Sequence, residues 1–237
     1  MKVGVNGAVR DISDLKVGVS GAVRAVSEAY IGVNGAVKKV WPLLPIGTQI
    51  VLDTVGSGTW ECLASGRWTL EMHGGGGAAV GNQLTTHPWG SGMMILKSAY
   101  AGGASGSTQT VTLSGGTKYN YMIGRGAVGG VATTAPKYSD TIANGGNTQF
   151  GSWSISGGKS SSWDVDKGAP VAGVSYGNLA TQPSTLDSES LGGLYVGGKG
   201  GSTIGNYGDG GDSEYKNAYI NKQPNGQDGA IILTYLG

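Results

Sequence analysis

Few side chains in this sequence are of the kind that carry reactions, and their spacing limits what they can do. The histidines are His73 and His87, and the single cysteine is Cys62. The intervals between them, 11 and 14 residues, fit no zinc pattern, in which ligands come as closely spaced pairs. Cys62 reads instead as a small buried hydrophobe. Gly173-Val174-Ser175-Tyr176-Gly177 has the form of a nucleophile elbow, but such a serine takes its histidine from later in the chain. Both histidines here come earlier. Gly124-Arg125-Gly126-Ala127-Val128-Gly129 has the form of a dinucleotide-binding turn, which must open a helix. Val131 to Pro136 does not open one, and glycine is common enough for the match to arise by chance. Asp209, Asp212 and Glu214 offer oxygens of the kind calcium takes, at a spacing unlike an EF-hand loop. Solvated loop carboxylates are the ordinary reading. The expectation is a protein without catalytic residues, metal or cofactor.

Recognition chemistry is better supplied. The chain has 11 Tyr and 6 Trp but one Phe, so nearly every ring carries a polar handle. Trp153, Trp163, Tyr176, Tyr195, Tyr207 and Tyr215 fall in stretches rich in Gly, Ser, Asn and Asp that read as loops. Rigid rings among adaptable polar residues make up a binding surface. The competing reading has the same rings covering a glycine-rich core that holds few other large side chains. These six are the candidate receptor contacts.

Three elements must position them. The first is a repeat: Val3 to Arg10 recurs as Val17 to Arg24 and again as Ile31 to Lys38, each 14 residues on. In each copy Asn6-Gly7, Ser20-Gly21 or Asn34-Gly35 sits between β-branched runs. That is the strongest short hairpin signal, because both central residues of a type I′ turn need positive φ. Lone hairpins are marginal in water and expose their edges, so residues 1–45 read as a docking and assembly region. The second element is a set of alternating strands. Trp68, Leu70 and Met72 mark one face of the run from Gly66, and Arg67, Thr69, Glu71 and His73 mark the other, which is expected to face solvent. The chain closes on an apolar run, Ala230 to Leu236. No stretch shows a helical stripe.

The third element is glycine itself, 47 of 237 residues. Its tracts are either flexible linkers or extended, three-per-turn segments of polyproline type. Such segments have no internal hydrogen bonds and must satisfy one another, and only glycine permits the close approach. The apolar ending favours the ordered reading. Residues 46–237 are therefore expected to be a glycine-rich, β-sandwich-like domain with polyproline-like segments, in an all-β chain.

Composition removes other classes. With 16 Lys+Arg against 15 Asp+Glu there is no basic excess for nucleic acid. No apolar run approaches a membrane span, so no membrane insertion is expected. The start lacks an apolar core of signal-peptide length, which predicts synthesis in a reducing cytoplasm or export by a route other than a signal peptide. One cysteine allows no internal disulfide.

Arg67 to His73 followed by Gly74 to Gly77 resembles the first half of the glycine-rich domain of phage and prophage tail proteins. Val111 to Tyr119, Tyr121 to Gly126 and Asn225 to Ile232 are similar to its continuation. The repeats, closing on Lys38-Lys39-Val40-Trp41, resemble those of minor tail proteins of phages infecting Gram-positive bacteria. Residues 150–230 have shorter glycine runs than the most glycine-rich members, so few extended packed segments are expected there. The resemblance implies a virion tail component, made in the host cytoplasm and assembled as a homotrimer with other tail or baseplate proteins. It further implies attachment to a host cell-surface glycan or protein. A bacterial surface or secreted glycine-rich binding module is the alternative, and a cell-wall polysaccharide hydrolase a third reading.

Overall fold

The computed structural model describes the chain except residues 1, 6–7, 12–15, 20–21, 26–28, 34–35, 42–43, 83–84, 87–92, 95–98, 133–142, 165–168, 186–191, 217–218 and 223–224. Side chains are described outside 1–43, 80–100, 130–142, 162–171, 185–195 and 213–224. The described residues contain strands and no helix, so the protein is all-β. Two compact units divide it, Met1–Thr48 and Gln49–Gly237.

The first unit holds three separate two-stranded sheets. β1 (Lys2–Val5) pairs with β2 (Ala8–Asp11), β3 (Lys16–Val19) with β4 (Ala22–Ala25), and β5 (Ala29–Val33) with β6 (Ala36–Trp41), all antiparallel. The innermost pairs are Val5 with Ala8, Val19 with Ala22 and Val33 with Ala36. Two residues are left between strands each time, the loop length that strand twist favours for primed turns. The turn residues Asn6, Gly7, Ser20, Gly21, Asn34 and Gly35 themselves lie outside the described residues.

The second unit begins as a sandwich. Its first sheet has the order β14 (Ser107–Leu113), β9 (Gly66–His73), β25 (Ala230–Tyr235), β7 (Gln49–Leu52). The second has the order β18 (Trp153–Ile155), β17 (Thr148–Phe150), β15 (Lys118–Ile123), β8 (Gly56–Glu61). Trp68, Leu70, Ile231, Leu233, Val111 and Leu113 from the first meet Phe150, Ile123 and Ile155 from the second, all buried. Trp60 stands edge-on to Trp68 across the two layers, with ring centroids 5.7 Å apart. Phe150 stacks on Tyr119 at 5.2 Å. Large rings make this core because the domain has few other bulky side chains to close the space between sheets.

Nine of the described segments outside helix and sheet belong together: 74–79, 101–106, 124–129, 143–147, 156–161, 172–175, 197–200, 208–212 and 225–229. They form a bundle held by backbone hydrogen bonds between segments. Segment 74–79 lies at its centre, wholly buried. Gly75, Gly76 and Gly77 donate in turn to Gly146, Gln227 and Gly103, each at 2.8 Å. Their own carbonyls accept from Gly158, Ala127 and Gly211, also at 2.8 Å. Successive residues thus face different neighbours, and the direction repeats after three. Gly74 and Gly77 both donate to segment 101–106, and Gly75 and Ala78 both accept from segment 156–161. This is the rotation of a three-per-turn extended helix, whose polar groups all point outward to partners. Glycine is required for the spacing: a Cβ on Gly76 would land on the Asp209 carbonyl, and one on Gly145 on that of Gly75.

Five of the nine segments lie between 156 and 229, where few were expected. Short glycine runs suffice there because polar side chains complete the pattern where a carbonyl is missing. Asn144 and Asn147 accept from Ser160 and Gly157, and Asp209 and Asp212 from Gly200 and Gly197. Asn225 and Asp228 accept from Gly129 and Gly126. Each pair is spaced by three, which is one turn.

Six segments join the bundle to the sandwich: 74–79 leaves β9, 124–129 leaves β15 and 156–161 leaves β18, while 101–106, 143–147 and 225–229 enter β14, β17 and β25. Four of these, 74–79, 101–106, 124–129 and 156–161, run at their opposite ends into strands of a second set. That set comprises β10 (Val80–Asn82), β11 (Thr85–Thr86), β12 (Met93–Met94), β13 (Ala99–Tyr100), β16 (Gly130–Ala132), β19 (Ser162–Asp164), β20 (Ala169–Val171), β21 (Ser184–Thr185), β22 (Gly192–Val196), β23 (Ser213–Lys216) and β24 (Tyr219–Lys222).

Candidate functional site

Where the bundle segments end decides which candidate rings share a surface. At the end away from the sandwich, β10 pairs antiparallel with β13 and parallel with β16. β13 also lies against β20, β22 and β23. Trp163 sits on β19 opposite Pro170 of β20. Tyr195 sits on β22, between Thr185 of β21 and Ser213 of β23. Tyr215 sits on β23 opposite Gly193 and Ile220. Three of the six candidates therefore belong to one far-end strand cluster, with backbone positions on paired strands rather than in loops. Their side chains lie outside the described residues.

The other three are on the sandwich side. Trp153 is half-buried and stacks on Phe150, centroids 6.1 Å apart and planes 20° apart, as the outer leaf of the aromatic core. Tyr176 exchanges backbone hydrogen bonds with Ala104 and Gly106, both 3.0 Å, and carries a bundle segment into its return turn. The Tyr207 hydroxyl donates to Asp53 Oδ2 at 2.8 Å. That bond, helped by burial and by the carboxylate charge, raises the phenol above its usual range.

Residues with catalytic or ligand patterns are occupied by structure. Four N–H groups of the Gly124 to Gly129 run, those of Gly124, Gly126, Ala127 and Gly129, are aimed at protein oxygens: Thr148 Oγ1, Asp228 Oδ1, Gly76 O and Asn225 Oδ1. Among the described residues the run leads into β16 rather than a helix. Ser175 Oγ accepts from Ala104 N at 2.7 Å, and the Gln182 amide bonds both Ser175 backbone groups. Asp212 Oδ1 accepts from Gly197 N, while Asp209 accepts from Gly200 N at 2.6 Å and pairs with Lys199 Nζ at 3.2 Å. Glu214 has no described side chain. Cys62 is buried, as its sequence context suggests, with Sγ 3.1 Å from the Ala64 carbonyl. Burial raises its thiol above the usual range, against the lowering pull of that hydrogen bond. His87 lies outside the described residues.

The expectation for His73 and Glu71 is corrected. Strand alternation puts both on the outer face of β9, but that face is not in solvent at the bundle end. His73 is 0% exposed and Glu71 3%. Turn 201–207, linking segments 197–200 and 208–212, reaches Glu71 there: Thr203 N donates to Oε1 and Thr203 Oγ1 to Oε2, both 2.9 Å. His73 Nε2 meets Glu71 Oε1 at 2.8 Å, and Nδ1 meets the Ser105 carbonyl at 3.1 Å. Burial pushes the Glu71 carboxyl up, but the hydrogen bonds from His73 and Thr203 and the nearby imidazole outweigh it and hold it below its usual range. The available signal was position: the strand runs straight into Gly74 to Gly77, and a strand entering a close-packed bundle gives up solvent on both faces.

Compared with known proteins, the chain matches no family model and none of the curated sequences.

Proposed function

We propose that this protein is a structural and adhesive component of a phage tail or tail-like particle. On this reading residues 1–45 dock it, as a homotrimer, onto other tail or baseplate proteins. The far-end strands attach it to a glycan or protein of the host surface. One observation carries the attachment half: Trp163, Tyr195 and Tyr215 lie on strands that gather at the end of the bundle away from the sandwich. The segments behind them are bonded to one another through their backbones, a support that would leave little ordering cost to binding. Rings on a fixed support suit stacking on sugar or peptide faces. A near-neutral chain adds little long-range steering.

Alanine at Trp163, Tyr195 or Tyr215 should lower attachment to host cells several-fold while the melting temperature stays near that of the parent. Trp153→Ala should do the reverse, because its ring belongs to the core. Unchanged attachment in all three far-end variants would contradict the reading.

A further inference from the structure

We infer that Glu71 and His73 form a proton-dependent latch that fixes turn 201–207 and, through it, the far-end strands carrying Tyr195 and Tyr215. The inference rests on the attachment role proposed for that end and adds its regulation. β22 leads into segment 197–200, the turn follows, and segment 208–212 leads back out to β23. The turn is thus one point, beside the bundle hydrogen bonds of both segments, where the supports of the two strands are tied to the sandwich.

The groups around the pair are few. From β9 itself come Glu71 and His73. The segment packed against them offers the Ser105 carbonyl, and the turn offers Thr203 N–H and hydroxyl. On the neighbouring strands the register partners are Ala230 and Ile232 of β25 and Thr108 of β14, none of them ionisable. The other charged contacts of this region, Lys199 with Asp209 and Tyr207 with Asp53, close on themselves.

Both oxygens opposite the ring accept only: a carbonyl at Nδ1 and a carboxylate at Nε2. Every hydrogen bond is met when the ring carries two protons and Glu71 none, and the buried pair is then neutral as a whole. A proton added to the carboxylate leaves a buried cation without its counter-charge and removes an acceptor from Thr203. That change weakens the hold on the turn.

The sign on the acid side follows from Glu71. Its carboxyl is lowered when the turn is closed, so the stabilisation is present above the ordinary carboxylate value and fades as pH falls through the lowered one. Between those values the open turn should gain about tenfold in population per pH unit. The test is hydrogen exchange of residues 197–212 in the full chain against pH, corrected for intrinsic rates and read against segment 124–129, which the latch does not touch. The parent should show that acid-side loss of protection in the turn. Glu71→Gln, which carries no ionisable carboxyl and keeps an acceptor oxygen for the Thr203 hydroxyl, should abolish the loss of protection in the carboxylate range. Thr203→Val should lower protection of the turn at least several-fold at neutral pH and leave segment 124–129 unchanged. A turn whose protection is flat with pH in the parent, or unaltered by Thr203→Val, overturns the latch. The readout involves no receptor, so it stands or falls separately from the attachment role.

Discussion

At the residue scale, carboxylates and amides act here as substitute backbone. Asp209 is the clearest case: its side chain takes the Gly200 N–H at 2.6 Å, while its own carbonyl takes Gln227 N–H at 2.8 Å. What the position needs is an acceptor oxygen rather than a charge, since Lys199 is half exposed and its attraction is largely screened. Asp209→Asn should therefore be nearly neutral in chemical denaturation. Asp209→Ala should cost about 1–3 kcal/mol, because it leaves a buried N–H without a partner. Equal losses in both variants would mean that charge matters more than hydrogen bonding. The acidic residues between 209 and 214 looked in the sequence like solvated loop groups. The three-residue spacing of Asp209 and Asp212 is visible in the sequence, but its meaning depends on their partners Gly200 and Gly197 in another segment.

At the scale of elements, the two kinds of backbone differ in how much of themselves they write into sequence. The alternation of Trp68, Leu70 and Met72 announced β9 and its inner face, and Asn-Gly and Ser-Gly announced two-residue hairpin loops. Local periodicity carries that information. The burial of the outer face of β9 is not written in local periodicity because its cover, turn 201–207, lies some 130 residues further on. Glycine segments hide still more: the same runs are compatible with linkers, and the three-residue rotation shows only once neighbours are in place. Substitution separates the two cases. A Cβ at Gly76 meets the Asp209 carbonyl, and one at Gly198 meets Thr181 O and Ser175 Oγ. Gly76→Val and Gly198→Val should each destabilise the protein by several kcal/mol in thermal or chemical unfolding, through clash and broken hydrogen bonds. Linker glycines would accept valine with almost no change.

At the scale of the whole molecule, the second unit is a sandwich carrying a bundle that ends in a cluster of short strands. Segment 74–79 bonds to six other segments drawn from residues 101–229, so the bundle forms only when most of the chain is in place. Such non-local pairing predicts slow folding and, once folded, a stiff support with little freedom to lose on binding. Of the six rings picked out by composition, three belong to the strand cluster and three to the sandwich side, a division that needs the topology and not the sequence alone. Placing attachment at the far end is the central claim. The most direct measurement is hydrogen exchange of the full chain with and without a host cell-surface preparation that it binds. Protection should increase in residues 162–171, 192–196 and 213–222 and stay unchanged in β7, β8, β14 and β15. Protection confined to those sandwich strands, in a protein that still binds, would contradict the account.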